Sequence, residues 1–129
     1  MLLTKSILSD VSVSDGLRIS VMSRHTLNDG VTPDKRIKSF DLHLPIVGPS
    51  PKLIGSYYKK EIDWFVFENK YLDEIRSSNK FFIVQMLAEI ALVRDVTLMC
   101  VEDTPEFCHR RLLAEECKKI NPSLKIIIN

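Results

Sequence analysis

Between Cys100 and Arg110 the chain reads Cys-Val-Glu-Asp-Thr-Pro-Glu-Phe-Cys-His-Arg, which puts two thiols, an imidazole, a guanidinium and several carboxylates in one short stretch. Each type has a distinct use. A thiol near the positive end of a helix gains thiolate character and becomes nucleophilic. His109 can move protons near neutral pH, and Glu102 can share that work. Arg110 can grip a phosphate or carboxylate with two parallel hydrogen bonds. Chemistry of this kind needs the groups to converge, so the elements that carry them matter. Val96–Val101 is a continuous apolar run of the sort found in buried parallel strands. Thr104-Pro105-Glu106 combines a capping hydroxyl, a proline and an acid, which predicts a helix over Thr104–Ile120. Cys100 and Glu102 then sit at the carboxyl end of a strand and Cys108 and His109 in the first turns of the next helix. Ligand sites of α/β proteins gather at that edge. At about 100° per residue, His109 shares a stripe with Leu112, Leu113, Cys117 and Ile120 and should point at the sheet, with Cys108 and Arg110 flanking it.

Plainer readings stand beside these. Cys100 and Cys108 can be small buried hydrophobes, and Cys117, deep in the apolar stripe, reads as core. Glu102 and His109 can simply hydrogen-bond to each other, and Arg110 can lie at the surface. Zinc is an alternative for Cys100, Cys108 and His109, but adjacent Cys108 and His109 lack the usual spacers, so no metal is assigned. A phosphatase-type loop fails, because Glu106 fills the place where an arginine should follow Cys100. The sequence leaves the cofactor unknown.

The remaining elements frame this junction. Leu2–Leu8 and Leu17–Ser23 read as strands, the second by its alternation and its preceding Asp15-Gly16 turn. His25–Ser39 is polar and reads as a loop, with Arg24 and His25 able to reach the same sheet edge. Phe40–Leu44 is a short strand. Ser50-Pro51 starts a helix to Tyr58, and Ser50 can also offer that helix's N–H groups to an anion. Glu61–Ser77 is a helix with two apolar faces, Ile62/Phe65/Val66/Leu72 and Trp64/Phe67/Tyr71/Ile75. The aromatic stripe reads as core, with base stacking as the alternative. Asn79–Arg94 is apolar over most of its circumference and reads as a buried crossover, and Leu124–Ile128 is a last strand. The whole is expected to be a single α/β domain over 1–129, a mixed or mostly parallel sheet flanked by helices on both faces.

Eighteen basic against seventeen acidic side chains leave a formal charge of +1, which gives no electrostatic case for strong nucleic-acid or membrane binding. The longest apolar stretch, Phe81–Val93, is broken by Gln85 and Glu89 and is too short to span a bilayer. No signal peptide is visible. Three cysteines without a framework spacing point to a reducing cytoplasm.

The pattern Cys100-x-Glu102-x-x-Pro105-x-x-Cys108-His109-Arg110 resembles the signature of the prokaryotic family known as domain of unknown function 488. Asp15-Gly16-x-Arg18 with Arg24, the connector Phe40–Ser50 and Trp64-x-x-Phe67-x-x-x-Tyr71 are similar to that family's other motifs, in the same order. Two positions depart from it. His25-Thr26-Leu27-Asn28 stands where many relatives have a Trp-Pro-Arg-Gly-like stretch, and His43 stands where a tryptophan is frequent. The resemblance implies an α/β fold and a shared pocket rather than a defined reaction.

Two functions fit the residues. One is an enzyme or binding domain for a small anionic, nucleotide-like ligand. Arg24 and Arg110 would grip it, Glu102 and His109 would handle protons, and Cys100 or Cys108 would supply a thiolate. The alternative is a non-catalytic module for nucleic acid or a protein partner, acting through Lys35, Arg36 and Lys38 of the polar loop.

Overall fold

The computed structural model describes residues 1–129. Five strands, β1 (Leu2–Ser6), β2 (Leu17–Ser20), β3 (Leu42–His43), β4 (Val96–Cys100) and β5 (Ile126–Ile127), form one sheet in the order β3-β2-β4-β1-β5. Every pair is parallel, in keeping with the α/β class expected. β4 lies between β2 and β1 and is buried along its whole length, as its unbroken apolar run requires. Four helices follow the expected order: α1 (Pro51–Tyr58), α2 (Trp64–Ile75), α3 (Ser78–Val93) and α4 (His109–Ile120).

The helices were expected on both faces, and they gather on one. Leu2, Ile19, Val21, Val96 and Leu98 share a single apolar cluster with Leu53 of α1, Phe67 and Tyr71 of α2, Leu87 of α3 and Leu113 of α4. The topology explains this. Parallel crossovers are right-handed, so connections running toward opposite edges of a sheet cover opposite faces. The path β1→β2→β3 runs one way and carries only a 3₁₀ turn (Val13–Asp15) and a loop, too little chain in the first case for a helix. The paths β3→β4 and β4→β5 run the other way and carry all four helices.

The second face is therefore closed by loops, and a polar network holds them. Thr97 Oγ1 donates to the Asp15 carbonyl at 2.6 Å. The Asp15 carboxylate pairs with Arg18 and Lys5. Arg18 in turn donates from Nε and Nη2 to the Ser39 carbonyl at 3.2 and 2.9 Å, while its backbone N–H donates to Asp41 Oδ2. The loop between β2 and β3 is thus tied to the sheet near its far end. Gly16 is required here: its φ is +62°, and a Cβ would lie 2.1 Å from the Asp95 carbonyl oxygen.

The aromatic face of α2 is core, as expected, with Phe67, Tyr71 and Ile75 buried, while Phe65 and Val66 of its second apolar face are exposed. Two expectations need correction. α3 is not buried all round: Phe82, Met86, Leu92 and Val93 face outward, because every helix shares one side of the sheet and α3 has no layer above it. The second correction concerns the start of α4. Thr104–Phe107 is a separate turn closed by the Cys108 N–H on the Pro105 carbonyl, and the helix begins at His109. Arg111 holds that turn through the carbonyls of Pro105 and Glu106, so turn chemistry prevails over a helix start at Thr104.

Candidate functional site

β2 and β4 are neighbours whose outgoing connections leave in opposite directions, β2 toward β3 and β4 toward β5. The chain parts there, and a crevice opens at the carboxyl ends of the two strands. It is a cavity of about 300 Å³. Its floor is Cys100 at the end of β4 and Val101 and Glu102 just after it, with Cys108 and His109 at the start of α4. Ser23, Arg24, Asp34 and Arg36 of the β2–β3 loop form one wall. Tyr57, Tyr58 and Phe67 of α1 and α2 form another, with Phe107 at the rim.

His109 is buried and faces the sheet, as its helical stripe requires. Its Nε2 lies 2.7 Å from the Val21 carbonyl, and its ring packs edge-on to Tyr71. A carbonyl only accepts, so Nε2 carries a proton, and in the neutral ring Nδ1 has the lone pair. That lone pair faces Cys100 Sγ at 3.8 Å. Cys108 is the N-cap of α4, extended at φ −139° and ψ 136°, with its side chain turned inward. Tyr71 also anchors the connector before α1 by donating to the Val47 carbonyl at 2.6 Å.

The two thiols differ although both are buried. The neighbouring Cys108 thiol, as a hydrogen-bond donor, lowers the Cys100 pKa below the usual thiol value, over the opposing effect of burial. Burial, and then the neighbouring Cys100 that accepts its hydrogen bond, pushes the Cys108 thiol well up. Tyr58 donates to Glu102 Oε1 at 3.3 Å, and burial followed by the Glu102 charge raises its phenol pKa strongly. Glu102 otherwise keeps its carboxylate for the cavity.

Arg24 lines the cavity with its guanidinium laid against Gly30, and it makes no ion pair within the protein. Arg36, by contrast, is bound side-on to Asp34 by two hydrogen bonds. Two expected ligand groups are elsewhere. Arg110 is fully buried rather than at the surface, and its guanidinium is behind the floor, donating to the carbonyls of Glu102 and Asn129 and to Cys108 Sγ. Ser50 caps α1, but its hydroxyl and N–H both donate to the Glu74 carboxylate, so the helix end already holds its anion. Cys117 is core, as expected.

A family model described as the active DUF488-N3 subclade matches residues 2–120. The chain belongs to the DUF488 family. No curated protein and no solved structure matches it. Within this DUF488 chain the signature residues have separate places. Cys100, Glu102, Cys108 and His109 meet at the cavity, Pro105 closes the turn that sets Cys108, and Arg110 supports the floor. The Asp15-Gly16-x-Arg18 motif ties down the loop that forms one wall.

Sequence reasoning missed Tyr57, Tyr58, Asp34 and Phe107 as cavity residues. The one signal available was the Tyr57-Tyr58 pair at the end of a helix already predicted to finish there. For Asp34, the pattern Asp-Lys-Arg within the loop concealed a local ion pair rather than a basic patch.

Proposed function

We propose that this DUF488 protein binds a small anionic, ring-bearing ligand, nucleotide-like in size, in the cavity at the ends of β2 and β4. The observation that carries the reading is Arg24, a cation on the wall that makes no direct ion pair, with only the exposed Asp29 carboxylate in electrostatic reach, in a pocket that also presents Tyr57, Tyr58 and Phe67 beside the polar Asp34, Arg36 and Glu102. A cavity of about 300 Å³ lies at the small end of ligand sites, and aromatic walls with a few aimed polar groups are their usual lining. Arg24 grips the anionic group, the aromatic side takes the ring, and Glu102 exchanges protons with the ligand, its hydrogen bond from Tyr58 holding it in place. The cluster of Cys100, Cys108 and His109 forms the reactive end. The matched subclade is described as active, which is in keeping with a reactive centre. The buried, unpaired cysteines suit a reducing cytoplasm.

The test is calorimetry with nucleoside monophosphates against their parent nucleosides. A charge-assisted hydrogen bond contributes about 1.5–3 kcal/mol. Arg24→Ala should therefore weaken monophosphate binding by about 10- to 150-fold and leave nucleoside binding unchanged. Equal binding of both forms to the wild type, or equal loss of both in the variant, would overturn the anionic reading. Retention of nucleic acid in place of either small ligand would favour the interaction-module alternative, for which the loop offers Lys35 and Lys38.

A further inference from the structure

Cys100, Cys108 and His109 come from two elements, and their donor atoms all lie within 4.8 Å of one another. The adjacency of Cys108 and His109, an objection on sequence spacing, is resolved by the backbone. Cys108 is extended and His109 is the first helical residue, so consecutive side chains turn to the same side of the chain. We infer that Cys100 Sγ, Cys108 Sγ and His109 Nδ1 form a three-ligand site for a divalent d-block cation of the zinc type, its fourth position open to the cavity.

Four observations meet in this assignment. The His109 tautomer is fixed from outside by the Val21 carbonyl, which leaves Nδ1 to face the thiols, the arrangement by which proteins orient a ligating imidazole. Two thiolates with one imidazole is a soft-to-borderline donor set that selects zinc and its neighbours over oxygen-seeking cations. The spacing suits a tetrahedron: bonds of about 2.3 Å to sulfur and about 2.0 Å to nitrogen place donor atoms about 3.5–3.8 Å apart. The Cys100–His109 pair already stands at 3.8 Å, and the widest separation closes with about 1 Å of thiol rotation.

The fourth observation is Arg110. It is fully buried, pairs with no side-chain carboxylate, leaves Nε without a partner, and donates from Nη1 to Cys108 Sγ at 3.4 Å. A buried guanidinium needs a nearby anion, and a ligating thiolate supplies one. Two thiolates balance the dication, and the Arg110 and Glu102 charges offset each other, so the loaded cavity floor is neutral overall. Binding of the ion stands apart from the ligand reading, since the three protein donors hold it alone.

Cobalt(II) titration of the reduced protein tests this without any ligand. The expected result is one equivalent bound, with a near-ultraviolet thiolate-to-cobalt band, the intense visible bands of four-coordinate cobalt, and loss of all of them on adding zinc. Cys108→Ser should weaken binding by about 100-fold or more, above the range seen for lost supporting groups. Cys117→Ser, whose thiol lies in the core away from the cluster, should leave the spectrum unchanged. X-ray absorption of the zinc-loaded wild type keeps the inference testable if a variant fails to fold, and should give two sulfur and one imidazole neighbours. Absence of the thiolate-to-cobalt band in folded wild type, or a shell of nitrogen and oxygen only, would overturn the site. Neither result would touch nucleotide binding by Arg24.

Discussion

Asp15→Asn isolates the network that closes the polar face. Asp15 and Arg18 are both buried, with side-chain exposures of 5% and 6%, and Arg18 has no other carboxylate on its side chain. Asparagine would keep the hydrogen bond from the Ser12 N–H but leave the Arg18 guanidinium charged and uncompensated. Removing one partner of a buried pair costs about 3–5 kcal/mol. Lys5, at 23% exposure, can rehydrate and adds little, so we place the loss near the lower figure, about 3 kcal/mol. Urea unfolding followed by Trp64 fluorescence reads this as a midpoint lowered by about 1–3 M, for a urea slope of about 1–3 kcal/mol per molar. Adding Arg18→Met should recover part of the loss, because the stranded charge is gone. The pH dependence has a definite sign. Burial raises the Asp15 pKa, but hydrogen bonds from the Ser12 N–H, Lys5 and Arg18 outweigh it and hold the folded value below 3.8. The contribution is therefore present above about 3.8 and fades as pH falls through the lower folded value, so wild type and variant converge in acid. A loss under about 1 kcal/mol at neutral pH, or a gap that persists in acid, would refute the buried-pair account.

Two further outcomes follow from the loop and the connector. His25 stacks on His43 at 3.9 Å and holds Ser20 Oγ at 2.7 Å, and burial, then the neighbouring His43, lowers its pKa below 6.5. The folded state prefers neutral His25, so stability should decline as pH drops below about 6.5, and His25→Gln should flatten that decline in pH-dependent urea melts. A Cβ on Gly48 would stand 2.7 Å from the Ser23 nitrogen and 2.9 Å from the Val21 oxygen, all rigid backbone beside the cavity. Gly48→Ala should cost about 1–3 kcal/mol and weaken ligand binding as well, measured by thermal melts and calorimetry.

Much of this arrangement was legible in the residues. The apolar run Val96–Cys100, the stripe Leu112/Leu113/Cys117 and the capped start at Ser50 are local patterns, and each formed the element it predicted. The inward turn of His109 followed from helical spacing alone. What escaped was set by contacts distant in sequence. Arg110 looks like a surface charge until the Glu102 and Asn129 carbonyls are placed around it. Ser50 looks like an anion site until Glu74 of α2 fills it. The exposed outer side of α3 depends on which face each crossover covers, and hydrophobicity alone carries no such information. The convergence of Cys108 with His109 depended on a turn at Thr104–Phe107 where the sequence suggests helix.

The central claim is that the cavity between the ends of β2 and β4 is where this protein meets its ligand. Amide chemical-shift mapping of the isotope-labelled protein titrated with adenosine monophosphate tests it most directly. The account predicts saturating shifts confined to Arg24, Tyr58, Cys100–Glu102, and Cys108–His109, with the titration midpoint moved about 10- to 150-fold higher in Arg24→Ala. Shifts centred instead on the polar face around Lys5, Ser12 and Thr97, or none at saturating nucleotide, would contradict it.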